Sequence, residues 1–306
     1  SPLQDITIPA STPFSLVAQA TGVGSENFTY TFEQQNNEIT PQPPLSTAMG
    51  GPNFRSSLGT LSPIQYFPNL ISLANNGPFT WEVLPSVTRT MNFRLTVRGN
   101  HFGGSCNAYE DMQVSTDANA GPFVVTYPTG PNLGFVRGSS QNITWSVANT
   151  QQYAAFVNIL LSNDGGQSYP LTLAQNVSNT GSFTLTLPQV ITEQARIMVQ
   201  SANQTFFAIS QNNFAIFPTP NVTQVARNPL NKNNAFVYYD IIDSSPAPKQ
   251  FTLNGLNASV SLDAANKRFV IKAINTAKKV ENVTITVTRA GGATATSNPF
   301  TIPGIL

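Results

Sequence analysis

The feature that most narrows the fold of this sequence is a two-residue alternation of apolar and polar side chains, confined to short runs. Phe28, Tyr30 and Phe32 alternate with Thr29 and Thr31, and Met91, Phe93, Leu95 and Val97 alternate with Asn92, Arg94 and Thr96. A period of two puts successive side chains on opposite faces of a pleated backbone, so each run describes a strand buried on one side. The pattern returns at Met112 and Val114, at Ile143, Trp145 and Val147, and at Val157, Ile159 and Leu161. It recurs at Phe183, Leu185 and Leu187, at Ile197 and Val199, at Phe207 and Ile209, and at Phe214 and Ile216. No segment longer than about ten residues carries the 3.6-residue period of a helix. The expectation is an all-β chain with three β-sandwich domains in series, of immunoglobulin, fibronectin or cadherin-like type.

The length of 306 residues suits two or three domains of about 100–150 residues each. We place them at residues 1–120, 121–217 and 218–306. In the first, the alternation fails over about 35–87, where Pro41, Pro43, Pro44, Pro52, Pro63, Pro68, Pro78 and Pro85 accompany a Gly50-Gly51 pair. Proline has no backbone donor, so this stretch cannot be a central strand. A bare coil of about fifty residues is uncommon inside a compact domain. The segment therefore reads as an ordered insertion, pinned by Phe54, Tyr66, Phe67 and Trp81, with one short helix over 67–75. From Gly121-Pro122 onward about seven short strands follow, the number expected of an immunoglobulin-like sandwich, with Trp145 in its core.

Phe217-Pro218-Thr219-Pro220 reads as a linker, and beyond it the charge chemistry changes. Residues 1–217 hold six basic residues, all Arg, and ten acidic ones, net −4; residues 218–306 hold nine basic and four acidic ones, net +5; the sum is the +1 of the whole chain. Such a step supports an independent third domain. Its strands are expected near 236–242, 249–255, 258–263, 268–274, 282–289 and 293–302, with hairpin loops at 263–267 and 290–293. Lys267, Arg268 and Lys272 lie on or beside one of these strands, and Lys278 and Lys279 follow in a loop. These five are anion-binding candidates; the plainer reading is that they keep an end domain soluble.

Charged residues are 9% of the chain, against roughly 25% in an average soluble protein, which is common in extracellular β-proteins. There is one His, His101, and one Cys, Cys106. These counts exclude a His-rich metal site, a zinc ribbon, a disulfide framework and HExxH chemistry within the chain. A Cys-His dyad between His101 and Cys106 has no evident orienting partner, and an incidental turn is the plainer reading. The near-zero net charge does not favour nucleic acid, and no run of 18 apolar residues indicates a membrane span. The start at Ser1, without a charged or apolar leader, reads as that of a piece cut from something longer. No catalytic residue, cofactor-binding residue or metal ligand is assigned.

Ser162-Asn163-Asp164-Gly165-Gly166-Gln167-Ser168-Tyr169 fits the Asp-box spacing. In this motif an Asp caps the amides of a tight turn, Gly supplies positive φ, and an aromatic packs the hairpin base. It is a folding device that carries no catalysis, so Ser162, Asp164, Gly166 and Tyr169 are read as a structural turn. Glu110-Asp111 stand at the start of an expected strand; a solvated strand edge is the first reading and Ca²⁺ the second. Asn-x-Ser/Thr sequons occur at Asn27, Asn142, Asn176, Asn203, Asn221, Asn257 and Asn282, and a bacterial source would leave them unmodified.

Trp81-Glu82-Val83-Leu84-Pro85 and Arg89 through Arg98 resemble a segment of secreted bacterial reprolysin-like zinc metallopeptidases of Bacteroidetes type. Thr12–Leu16, Phe28–Gln34, Gly51–Ser56 and Tyr66–Pro68 look like parts of the domain that follows the catalytic domain in that family. Gly121–Thr126, Ile143–Trp145 and Leu161–Tyr169 resemble the next one. The resemblance covers about 1–217. It implies a secreted, multidomain parent whose zinc site lies upstream, outside this chain, and it carries over no catalytic residue. Related domains place acidic residues where this chain has Ala20 through Asn27. Gly and Val replace most of them, which removes most ligands from a cadherin-like calcium site.

The expected function is a non-catalytic accessory or binding region of a secreted or cell-surface metallopeptidase, positioning the enzyme or engaging substrate or surface. Two alternatives stand beside it. One is an adhesin or stalk segment. The other is a carbohydrate-binding module that uses exposed aromatics such as Tyr109, Tyr127 or Tyr153. The expected partner is a polysaccharide or protein substrate at the cell surface, met by a monomer.

Overall fold

The structure is a computed structural model. It describes residues 3–22, 28–101, 104–219, 235–240, 250–255, 258–263, 268–273, 280–288 and 294–302. The chain forms two compact units. The first is Ser1–Thr129, Asn142–Leu185 and Arg196–Asn212, and the second is Gly130–Gln141, Thr186–Ala195 and Asn213–Leu306. The fold is all-β, with the sheets of a multidomain β-sandwich protein.

The N-terminal part contains β1 (Ile6–Pro9), β2 (Phe14–Val17), β3 (Phe28–Gln34), β4 (Ile64–Phe67), β5 (Arg89–His101) and β6 (Gly104–Asp117). One sheet runs in the order β1-β6-β5-β3, with β1 parallel to β6 and the long β5–β6 hairpin in continuous register from Arg89↔Thr116 to His101↔Gly104. The alternation read in the sequence gives this sheet its buried face: Phe32, Met91, Phe93, Leu95, Met112 and Val114 point inward. Facing them are Phe14 and Leu16 of β2 and Phe67 of β4, which pair as an antiparallel ribbon, together with Phe54. Phe14 and Phe67 stack at 4.9 Å, and Phe67 meets Phe54 and Phe93 edge-on at 5.3 Å each. Burying each such ring contributes roughly 1.5–3 kcal/mol, and the edge-on contacts add about 0.5–1.5 kcal/mol each.

The proline-rich segment is therefore ordered, and it does more than decorate the sandwich. It supplies β4 and Phe54, much of the layer opposite the large sheet. It also holds α1 (Leu70–Ala74), within the expected 67–75. The Asn69 side chain accepts from the Ser72 amide at 2.9 Å and caps this single turn. Of the four residues expected to pin the segment, Phe54 and Phe67 are buried and Tyr66 packs edge-on to Phe207 at 5.2 Å. Trp81 is not a pin: it is 45% exposed.

Next come β7 (Val124–Tyr127), β8 (Gly134–Val136), β9 (Ser140–Ser146), β10 (Phe156–Ser162), β11 (Leu171–Ser178), β12 (Ser182–Thr186), β13 (Thr192–Ser201), β14 (Phe207–Ile209) and β15 (Phe214–Phe217). In the first unit β12-β9-β7 form one sheet, and β11-β10-β13, with β14 on β13, form the other. In the second unit, Thr192 and Ala195 pair with β15, which pairs in parallel with β8. Three of these strands lack the alternation that marks the rest, and β7 is one of them, with Val124 and Val125 adjacent. β8 is three residues long, and β11 pairs only with β10 and is distorted where Asn176 takes φ 51°.

Trp145 lies in the core, 3% exposed. Its indole Nε1 donates to Asn179 Oδ1 at 2.8 Å. Asn179 Nδ2 in turn donates to Thr150 Oγ1 and Ala154 O, both at 3.0 Å. A buried indole N–H needs such a partner, because an unpaired donor costs about 1–3 kcal/mol.

Within the first unit, Gly121 has φ +93°. A Cβ there would lie 2.2 Å from Ala10 O, so only glycine fits. Ser15 N donates to Thr205 O at 3.1 Å, Phe207 N to Pro13 O at 2.9 Å, and Phe123 N to Thr12 Oγ1 at 3.0 Å. Within the first unit, then, the segments before and after Gly121 are tied together by backbone bonds.

The C-terminal third contains β16 (Ala235–Asp240), β17 (Gln250–Asn254), β18 (Ala258–Asp263), β19 (Arg268–Ala273), β20 (Val280–Thr288), β21 (Thr294–Thr296) and β22 (Phe300–Ile302). They form sheets β16-β19-β18 and β17-β20-β21, with β22 on β20. Val283, Ile285 and Val287 bury one face of β20. Asp263 pairs with Arg268 and Thr288 with Thr294, on either side of the two expected hairpin loops; residues 264–267 and 289–293 of those loops lie outside the described residues.

Candidate functional site

The Asp164 turn closes β10 with its own side chains. Ser162 Oγ donates to Asp164 Oδ1 at 2.6 Å and accepts from the Gly166 amide at 2.8 Å. Asp164 Oδ1 also accepts from the amides of Gln167 and Ser168, both at 3.0 Å, and Oδ2 accepts from Ser168 Oγ at 2.5 Å. Partial burial opposes ionisation of Asp164, but these donors outweigh it and hold the carboxyl at about 2. Gly166 has φ +93°, and a Cβ there would meet Arg196 Cδ at 3.0 Å and the Tyr169 hydroxyl at 3.2 Å. Burial pushes the Tyr169 hydroxyl well above the usual tyrosine range.

Two buried arginines, neither of them singled out by the sequence pattern, organise the proline-rich segment. Arg89 is 5% exposed. Its Nη1 donates to Ala48 O at 3.0 Å, Gly50 O at 3.2 Å and Asn53 Oδ1 at 2.5 Å, and its Nη2 to Gly51 O at 2.7 Å. Burial lowers the Arg89 pKa, and the nearby Glu38 charge opposes that shift. Arg196 on β13 is 6% exposed and donates to Ala74 O at the end of α1 at 2.7 Å and to Ser210 O at 3.2 Å. Asn53, 1% exposed, exchanges bonds with Val83: its Nδ2 donates to Val83 O at 2.9 Å and its carbonyl accepts the Val83 amide at 3.0 Å. Gln34 Oε1 accepts from the amides of Asn53 and Phe54 at 2.7 and 3.1 Å. The segments around Gln34, Gly51–Ser56 and Trp81–Arg89 that carry the sequence resemblance are thus one hydrogen-bonded cluster.

That cluster positions the candidate site. Arg55 N donates to Trp81 O at 2.9 Å, so the two residues stand side by side at the surface. Both line two adjoining cavities, of about 370 and 640 Å³, the size range of small-ligand sites, roughly 300–1,000 Å³. The smaller is walled by Gln42, Pro44 and Pro52, and the larger by Tyr66, Asn69 and Ile71 with Gln167 at its edge. Gln167 is brought there by the Asp164 turn, to which its amide and side chain both bond. The Glu82 carboxylate is engaged by Asn69, accepting from its backbone N at 3.1 Å and its Nδ2 at 2.5 Å. Among the described residues the Arg55 guanidinium has no carboxylate partner. The arrangement offers an exposed indole, a free cation and several amides and hydroxyls in one groove.

The other residues singled out in the sequence fall as follows. Tyr109 is 67% exposed, with the Arg94 guanidinium 4.3 Å from its ring centroid. Tyr153 donates to Asp117 Oδ2 at 2.6 Å, and burial together with that carboxylate pushes its hydroxyl up to about 12. Tyr127 is half-buried. Glu110 and Asp111 do not begin a strand, but they do lie on a solvated stretch of β6 that has a strand neighbour, β5, on one side only. They sit midway along β6, beyond the stretch that β1 pairs, because the β5–β6 hairpin is longer than its apolar pattern, and Asp111 is bound by Arg94 through two bonds of 2.7 and 2.8 Å. Cys106 is an exposed thiol opposite Gly99. Among the described residues no three His, Cys, Asp or Glu side chains come together, and no helix is long and apolar enough to cross a membrane. Arg268 and Lys272 lie on β19, where Arg268 is in register with Asp240 and Asp263 and Lys272 with Phe236 and Ser259. Lys267, Lys278 and Lys279 lie outside the described residues, as do residues 23–27 of the segment from Ala20 to Asn27.

No family model and no curated protein matches this chain. Among solved structures it is similar to a three-domain immunoglobulin fragment of titin, I67–I69, at 10% identity over 96% of this chain and 94% of that one, TM-score 0.28. It is also similar to the Bacteroides ovatus protein SGBP-B, solved with a mixed-linkage heptasaccharide, at 14% identity over 100% and 67% of the two chains, TM-score 0.24. A third is a set of fibronectin(III)-like modules of Clostridium thermocellum CbhA, at 11% identity over 71% and 91%, TM-score 0.23. Values of this size carry no functional argument.

Proposed function

We propose that this chain is a non-catalytic accessory region of a secreted or cell-surface protein, a stiff body that presents the Trp81 groove to an extracellular partner. The observation that carries this reading is the pairing of a rigid frame with an exposed indole. Backbone bonds tie residues 13–15 to 204–207, Arg89 and Arg196 fix the proline-rich segment, and Trp81 remains 45% exposed on that frame. A large aromatic held in a groove by fixed neighbours costs little ordering entropy on binding. The lone His of the chain supports the non-catalytic part, since triads and zinc hydrolases draw on histidine.

The finer proposal is that the parent is a zinc metallopeptidase with its active site upstream, acting as a monomer on protein or polysaccharide. Its support is the sequence resemblance centred on residues 81–98. The division into domains near 120 and 217 belongs to the same proposal, as does a contact between the net +5 C-terminal third and anions. A stalk or adhesin segment is separated from it by the coding sequence upstream, where the peptidase reading requires an HExxH helix.

The test uses the whole chain. It should turn over no casein, chromogenic ester or glycoside, and it should retain one class of ligand on arrays of glycans and extracellular proteins. Proteolysis that follows the protein through purification and stops with chelator would overturn the non-catalytic reading. A blank on both arrays would overturn the binding reading.

A further inference from the structure

We propose that the Trp81 groove binds an acidic glycan, a chain of pyranose rings bearing carboxylates. This deepens the reading above and rests on it.

A pyranose ring has one face of C–H bonds and a rim of hydroxyls. The C–H face matches the exposed indole of Trp81, and hydroxyls match amides and other hydroxyls. Gln42 beside the smaller cavity and Ser57, Asn69 and Gln167 beside the larger one supply that polar rim.

Charge then selects among glycans. Arg55 lines both cavities and no carboxylate among the described residues pairs with it, while Glu82, which accepts from both nitrogens of Asn69 and keeps its charge, lines only the larger one. The smaller cavity therefore presents the Arg55 cation beside the stacking platform, with no acid in its described lining. A guanidinium binds a carboxylate through two parallel N–H bonds, which gives it geometry as well as attraction. A uronic acid stacked on Trp81 would bring its carboxylate to Arg55. The Arg55 N to Trp81 O bond holds side by side the two main chains from which the platform and the cation project. Gln167 enters from a different part of the chain, carried by the Asp164 turn, so that turn also shapes the far end of the groove.

The experiment is affinity electrophoresis and calorimetry of the full chain with polygalacturonate and, separately, with a neutral β-glucan. Wild type should be retarded by the polyuronate and at least tenfold less by the neutral polymer. Trp81→Ala should lose binding at least tenfold. Arg55→Gln, at an exposed position where folding is preserved, should abolish the preference for the acidic polymer. Melting curves confirm that both variants fold. Equal binding of the two polymers would overturn the proposal, as would polyuronate binding unchanged in both variants, which would place the contact on the lysine-rich C-terminal third instead. Binding of a protein or peptide probe with neither polymer bound would leave the accessory-region reading standing and sink this one.

Discussion

Arg89 and Asn53, 36 residues apart in the chain, meet at 2.5 Å inside the first sandwich. Around them the carbonyls of Ala48, Gly50 and Gly51 complete a cage for one guanidinium. Proline-rich backbone has few amides to offer a sheet, so its carbonyls need donors from elsewhere, and a buried arginine supplies several at once.

Arg89→Lys keeps the charge but loses the planar fork, so several of these carbonyls lose their donor. We expect a loss of about 3 kcal/mol in unfolding free energy, the scale of breaking a buried charged network. Urea denaturation measures it, and an unchanged midpoint would show that the cage is incidental.

Asp164→Ala should lower stability at pH 7 by about 1 kcal/mol, the usual worth of a capping side chain. The pH dependence has a definite sign. The carboxyl titrates at about 2 in the fold, below the roughly 3.9 of an unfolded chain. Its contribution is therefore complete above about pH 4 and disappears as pH falls towards 2. Wild type and variant should differ at pH 7 and converge near pH 2. A difference that persists at low pH contradicts the assignment.

Gly121→Ala would place a Cβ 2.2 Å from Ala10 O at a residue with φ +93°. Backbone must shift at the junction of the two tied segments, at a cost of about 2–4 kcal/mol from strain and lost bonds. A thermal melt of the variant tests this; wild-type stability would mean that the junction is looser than the bonding indicates.

The chain has two tryptophans, one 45% and one 3% exposed. Acrylamide should quench the Trp81 fluorescence and spare that of Trp145. Asn179→Ala should leave the Trp145 indole unpaired and cost about 2 kcal/mol, without altering quenching of Trp81. Two equally quenched tryptophans would refute the placement of both.

Period-two alternation was enough to specify an all-β chain, because a strand buried on one face must repeat every two residues. It located β3, β5, β10 and the middle of β13 at Ile197 and Val199, and it placed Trp145 in the core. It could not locate β8 or β11, since a three-residue strand and a bent strand with one neighbour bury too little to impose a pattern. The short α1 was legible from its surroundings, and the Asp164 turn from its spacing, because both are held by bonds within a few residues.

What joins distant residues was decided by tertiary structure alone. Nothing local distinguishes Arg89 or Arg196 from a surface arginine; each is defined by carbonyls that arrive from 14 to 122 residues away. Trp81 is the converse case. A large aromatic in a low-charge sequence reads as core, since burying it is favourable. Here Phe14, Phe54, Phe67 and Phe93 already fill that core, and the backbone bond to Arg55 holds Trp81 at its rim. The sequence determined which side chains could be inside, by period and polarity. The tertiary structure decided which of them the interior had room for, because close packing admits a limited set of rings and leaves the next one at the surface.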